Sequence, residues 1–139
     1  MKIFKIFLLL LLISLSARAQ MTPQEPIKNF RLPMFGDNGY RTWELCGDEG
    51  RYITASKIEV CQMKMRVFSG DAASKIENRI ESPLATLFVD KNMAIGESPI
   101  QILSDTYRID GERWFWDGKT RTIVVSRNAK VVFNEGVGQ

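Results

Sequence analysis

From residue 27 onward the chain alternates apolar and polar positions in short runs, and helical spacing is sustained nowhere. Phe30, Leu32 and Met34 alternate with Asn29, Arg31 and Pro33, and Trp43 and Leu45 with Thr42 and Glu44. The longest run sets Cys61, Met63, Met65 and Val67 against Gln62, Lys64 and Arg66. Ile58 and Val60 lie just upstream in the opposite phase. A one-residue slip sends every side chain to the other face of a sheet, so this change of phase predicts a bulge near Val60–Cys61. Similar pairs follow at Ile76/Ile80, Ile100/Ile102, Tyr107/Ile109, Trp114/Trp116, Ile123/Val125 and Val131/Phe133.

The punctuation suits strands. Gly36-Asp37-Asn38-Gly39, Ser69-Gly70-Asp71, Asp110-Gly111 and Asp117-Gly118 are turn signals at fairly regular intervals. Asp117-Gly118 stands between the aromatic run ending at Trp116 and the β-branched run 122–125, a strong hairpin cue. Ser82-Pro83 and Ser98-Pro99 each open an apolar segment, as expected of proline at a strand start or a sheet edge. The pattern predicts eight to ten short strands in one meandering antiparallel layer. The fold class is all-β: a sandwich, jelly roll or open barrel. Residues 27–133 read as one uninterrupted domain, with loose segments at 20–26 and 134–139.

The first nineteen residues read differently. Lys2 and Lys5 precede the apolar run 6–13, and Ala17-Arg18-Ala19 supplies a small-residue pattern. That order predicts a signal peptide cleaved after Ala19 and export to the periplasm. The alternative is an N-terminal anchor at the inner membrane, but the apolar run is about half the length of a bilayer span. The leader holds three of the 19 Lys+Arg and none of the 16 Asp+Glu, so the remainder carries 16 of each. A neutral domain in which no Lys/Arg cluster marks one face has no electrostatic footprint for nucleic acid.

Candidate chemistry is sparse. Without histidine there is no Ser-His-Asp or Cys-His machinery and no His-ligated zinc. Asp105, Asp110, Glu112 and Asp117 each sit beside a glycine, an arginine or a turn, the setting of solvated acids. Asp37-Asn38-Gly39 and Asp48-Glu49-Gly50 do not continue as a calcium loop, and no glycine-rich phosphate cradle is present. The expectation is a protein that is not an enzyme and needs neither metal nor cofactor. Cys46 and Cys61 are fifteen apart; in an exported chain they form a disulfide candidate, or else two reduced small hydrophobes. Trp43, Trp114, Trp116, Met63 and Met65 fall on inward faces, where they can fill a closed core or line an apolar groove.

Several stretches carry a resemblance. Residues 35–48 hold an aromatic, an acidic-Gly turn and then Trp43-Glu44-Leu45-Cys46-Gly47-Asp48. Ile58-Glu59-Val60 leads into Met65-Arg66-Val67-Phe68, and Ile80-Glu81-Ser82-Pro83-Leu84-Ala85 follows. Tyr107-Arg108-Ile109-Asp110-Gly111, Trp116-Asp117, Ile123 and Lys130-Val131-Val132-Phe133 close the series. In order and spacing, residues 27–133 resemble the LptA/LptC-type (OstA-like) family of periplasmic lipopolysaccharide transport and assembly proteins. The resemblance implies a β-jelly roll, partly open along one edge, whose hydrophobic interior shelters lipid acyl chains. It also implies end-to-end stacking by strand pairing, in a bridge between membranes. The cleavable leader and the cysteine pair are departures from that family.

The expected function is outer-membrane assembly through lipid binding, with Trp43, Leu45, Met63, Met65, Val67, Leu84, Leu87, Ile102, Trp114 and Trp116 as the groove lining. The expected partners are lipopolysaccharide or a related lipid, together with other periplasmic or membrane transport components. A second copy of the chain is a further candidate, and nucleic acid is excluded. Protein partners would join at edge strands through Phe30, Leu32, Val131, Val132 and Phe133. The competing expectations are a closed β-sandwich serving as an interaction or structural module, and a carbohydrate-binding module stacking sugars on Trp114 and Trp116.

Overall fold

The structure, a computed structural model, describes residues 25–134. The expected leader with its cleavage point, residues 20–24 and the tail from 135 lie outside the described residues. Seven strands follow one another: β1 (Ile27–Phe35), β2 (Arg41–Tyr52), β3 (Lys57–Phe68), β4 (Ile76–Phe88), β5 (Met93–Leu103), β6 (Tyr107–Asp117) and β7 (Thr122–Phe133). They form one antiparallel sheet whose spatial order is the sequence order, β1 to β7. The all-β reading and the single meander hold, and the sheet is open, with β1 and β7 as its two edges.

The strands are fewer and longer than the eight to ten expected, because the phase changes are bulges inside strands rather than ends of strands. Gln62 takes a left-handed φ of 54° between Cys61 and Met63, so Ile58 and Val60 point inward before it and Met63, Met65 and Val67 after it. Asn29, Arg113 and Asn128 have φ of 54°, 55° and 51° at the corresponding places in β1, β6 and β7. The ladders break beside them. Lys28 pairs with Glu49 and Phe30 with Gly47, skipping Asn29; Cys61 pairs with Leu84 and Met63 with Ser82, skipping Gln62 and Pro83. Ser82-Pro83 and Ser98-Pro99 therefore lie mid-strand, not at strand starts. A proline is tolerated there because the broken ladder asks for no N–H. Asp110-Gly111, expected as a turn, is likewise inside β6 at a register shift. The other three turn signals do mark strand connections, and Asp117-Gly118 opens the β6–β7 hairpin.

Because the breaks line up from strand to strand, the whole sheet bends along one line. Its two halves close over a shared apolar interior. Trp43 of β2 meets Trp116 of β6, four strands away, edge-on with ring centroids 5.7 Å apart. The Trp43 indole N–H donates to Asn92 Oδ1 in the β4–β5 turn at 3.1 Å, and Arg121 Nη1 in the β6–β7 turn donates to the Phe68 carbonyl at 2.9 Å. A Cβ at Gly96 would run into the Trp114 ring beside it on β6, so the bare backbone there is what lets the indole lie flat across β5.

Candidate functional site

The inner face is a single apolar cluster. It joins Trp43 and Leu45 of β2, Ile58, Val60, Met63, Met65 and Val67 of β3, and Ile80, Ala85 and Leu87 of β4. Ala94, Ile100 and Ile102 of β5 continue it to Trp114 and Trp116 of β6. Of the expected lining, every residue but Leu84 is in this cluster. Leu84 is 45% exposed on the outer face. The phase shifts again at Pro83, so Ser82 and Ala85 point inward and the residue between Pro83 and Ala85 points out. The lining packs against itself: Trp43 and Leu45 are fully buried, and Met63 and Met65 are 1% exposed.

Two polar atoms in the interior differ in satisfaction. The Trp114 indole N–H donates to Ser82 Oγ at 3.3 Å, and the Ser82 hydroxyl reaches the Pro99 carbonyl at 2.7 Å. Trp116 Nε1 is buried and has no partner among the described residues. A buried N–H left without an acceptor costs about 1–3 kcal/mol, so it is a ready handle for an oxygen that enters the interior.

The seal is incomplete at β7. Val131 pairs with Ile109 and Phe133 with Tyr107, which puts both on the inner face, yet they are 49% and 69% exposed. Val132, on the other face, is 46% exposed. The Asn134 N–H donates to the Thr106 carbonyl at 3.0 Å. Antiparallel ladders alternate bonded and non-bonded pairs, so two residues earlier the Val132 N–H faces Arg108, while those of Val131 and Phe133 face the open side. At the opposite edge, Phe30 is buried against Tyr52 with ring centroids 6.5 Å apart, and Leu32 is half-buried. The β1 backbone has β2 on one side only.

The outer face of β1–β3 holds a group that alternation did not reveal, and it corrects the expectation that no Lys/Arg cluster marks one face, since Arg31, Arg41 and Arg66 converge there. Glu44 lies between Trp43 and Leu45 and so points outward, yet it is fully buried. Three guanidiniums cover it. Arg31 donates through Nε to Oε1, Arg41 through Nη1 to Oε2 at 2.9 Å, and Arg66 through Nη2 to Oε2 at 2.8 Å. Arg41 and Arg66 also sit over the buried Phe68 ring, 4.2 and 5.4 Å from its centroid. Burial opposes ionisation of Glu44, but the bonds from Arg31 and Cys46 and the charge of Arg66 more than offset it. The carboxyl is held below its usual range.

Cys46 donates to Glu44 Oε1 at 3.4 Å, and burial followed by that carboxylate pushes its thiol up, away from nucleophilic thiolate. The two cysteines are free, and the register separates them. Cys46 faces Lys64, whereas Cys61 faces Glu49 beyond the bulge. The disulfide expectation is corrected accordingly: the bulge offsets the two thiols along neighbouring strands. Of the four acids expected in solvated turns, Asp105 is exposed, whereas Asp110 and Glu112 lie half-buried inside β6 and pair with Arg108 and Arg127, each at 2.9 Å. No protein-family model matches the chain, and no curated protein matches it.

Proposed function

We propose that the protein is an exported lipid-binding protein, a partly open β-jelly roll that shelters lipopolysaccharide acyl chains against its inner face. The supporting observation is that this face is continuously apolar across the sheet and lies uncovered at its β7 end, where Val131 and Phe133 are exposed. Each methylene moved from water to such a surface contributes roughly 0.8 kcal/mol. Since the lining is packed against itself, acyl chains enter by parting the two halves from the β7 end. Met63 and Met65 then re-pack along the chain, as flexible thioethers do. Trp116 Nε1 gains an acceptor from an ester or hydroxyl oxygen. The role is sequestration, with no cofactor and no bond made or broken, and a partner supplies the energy for directed movement. Edges β1 and β7 join other transport components, or a second copy, by strand addition. The leader assigns the periplasm, with retention at the inner membrane as the alternative.

A comparison of Met65→Asp with Lys64→Asp tests the reading. Met65 points inward and Lys64 outward, so Met65→Asp is expected to abolish acyl-chain binding and Lys64→Asp to preserve it, with far-UV circular dichroism confirming both folds. A photo-crosslinker at Met65 or Trp114 in intact cells is expected to capture lipid. The close packing of the lining favours a second reading, a closed sandwich serving as an interaction module. Failure of the folded protein to bind a hydrophobic dye or acyl chains would select it.

A further inference from the structure

On the outer face, independent of the acyl-chain reading, we propose that Arg31, Arg41 and Arg66 form a binding site for a phosphate group. One carboxylate organises three guanidiniums, which leaves two positive charges uncompensated at the centre of the cluster. Each guanidinium spends a single nitrogen on Glu44, and the others make no hydrogen bond or ion pair among the described residues. Arg41 and Arg66 rest against the Phe68 ring and each bonds Glu44, so both guanidiniums are anchored at two points before any ligand arrives. That preorganisation separates a site from a scatter of surface cations, whose flexible side chains must be ordered on binding.

The surroundings add to the surplus. Lys64 faces Cys46 across the β2–β3 ladder, and Arg79 faces Arg66 across β3–β4. Of the acids on the same surface, Glu81 faces Lys64 and Glu77 lies 3.7 Å from Arg121. Glu44 is fully buried and its oxygens already accept from all three arginines, so it does not present its charge to an incoming anion. Planar guanidinium donors around one point suit the several oxygens of a phosphate monoester or diphosphate better than a single carboxylate. The phosphate is free in solution or borne on a lipid headgroup.

Titration of the full chain with inorganic pyrophosphate by calorimetry, and flotation with vesicles containing phosphatidate or only phosphatidylcholine, test this. Saturable binding of pyrophosphate alone identifies the free anion; binding to phosphatidate vesicles that Arg31→Gln weakens, with or without pyrophosphate binding, identifies a headgroup. Arg31→Gln removes one exposed guanidinium and is expected to weaken binding about tenfold, as for one charge-assisted hydrogen bond. Arg113→Gln makes the same change of net charge at an equally exposed arginine paired with Glu97, and is expected to leave binding unchanged. Neither probe binding, or equal weakening by the two substitutions, would overturn the site.

Discussion

Glu44 shows how much one residue's surroundings decide. Its carboxylate is buried on the outer face only because three arginines close over it, so its contribution to stability depends on its charge. Its folded pKa is depressed, so the unfolded chain takes up the proton first as pH falls. The stabilisation is therefore present above the ordinary carboxylate range and is lost as pH drops through the depressed value. Glu44→Gln is expected to cost about 1–3 kcal/mol at neutral pH, the range for part-buried donors that lose their acceptor. It should also show a smaller loss than the parent between pH 7 and pH 3 in urea denaturation. An undiminished acid-side loss in the variant would place that titration on other carboxylates.

At the scale of the element, β1, β3, β6 and β7 each carry a break built from one residue in the left-handed region. Gln62 holds a φ of 54°, which glycine adopts freely and a β-branched residue resists. Gln62→Gly is expected to be neutral or stabilising by up to about 1 kcal/mol, and Gln62→Val destabilising by about 1–2 kcal/mol. Thermal unfolding of the two variants measures the difference. The β7 edge makes a sharper contrast. Val131→Pro removes an N–H facing the open side and should abolish strand-mediated association while the domain stays folded. Val132→Pro removes one that faces Arg108 and should unfold the end of β7. Sedimentation and circular dichroism together separate these outcomes.

The alternation of Met63, Met65 and Val67 made the bulge legible within two residues, because a change of phase leaves a mark in composition. The shift at Pro83 left none. Leu84 is apolar on either face, so pattern alone assigns it inward although it lies on the outer face. Glu44 was hidden because its burial depends on Arg31 and Arg66 from neighbouring strands, a register that local pattern does not contain.

For the whole molecule, the exported-protein reading makes a direct prediction. Protein recovered from the exported fraction is expected to begin at Gln20, and intact mass tells. A species retaining residues 1–19 and fractionating with membranes would support anchoring instead. The closure of the two halves was not visible in any run of sequence, since it joins Trp43 to Trp116 through aligned breaks in separate strands. A single periodicity describes a strand; it does not describe how six ladders share one crease.

The strand order has a consequence for how the domain forms. Every ladder joins neighbours in the sequence, so strands can be added hairpin by hairpin, each at a small loop-closure cost. Closing the crease is the one step that brings distant segments together. Refolding should thus proceed in two stages, with the far-UV strand signal rising first and the Trp43–Trp116 exciton signal appearing later. Mutations at the β6–β7 turn, where Arg121 reaches the Phe68 carbonyl, should slow only the second stage. Simultaneous recovery of both signals would mean that crease and ladders assemble as one cooperative unit.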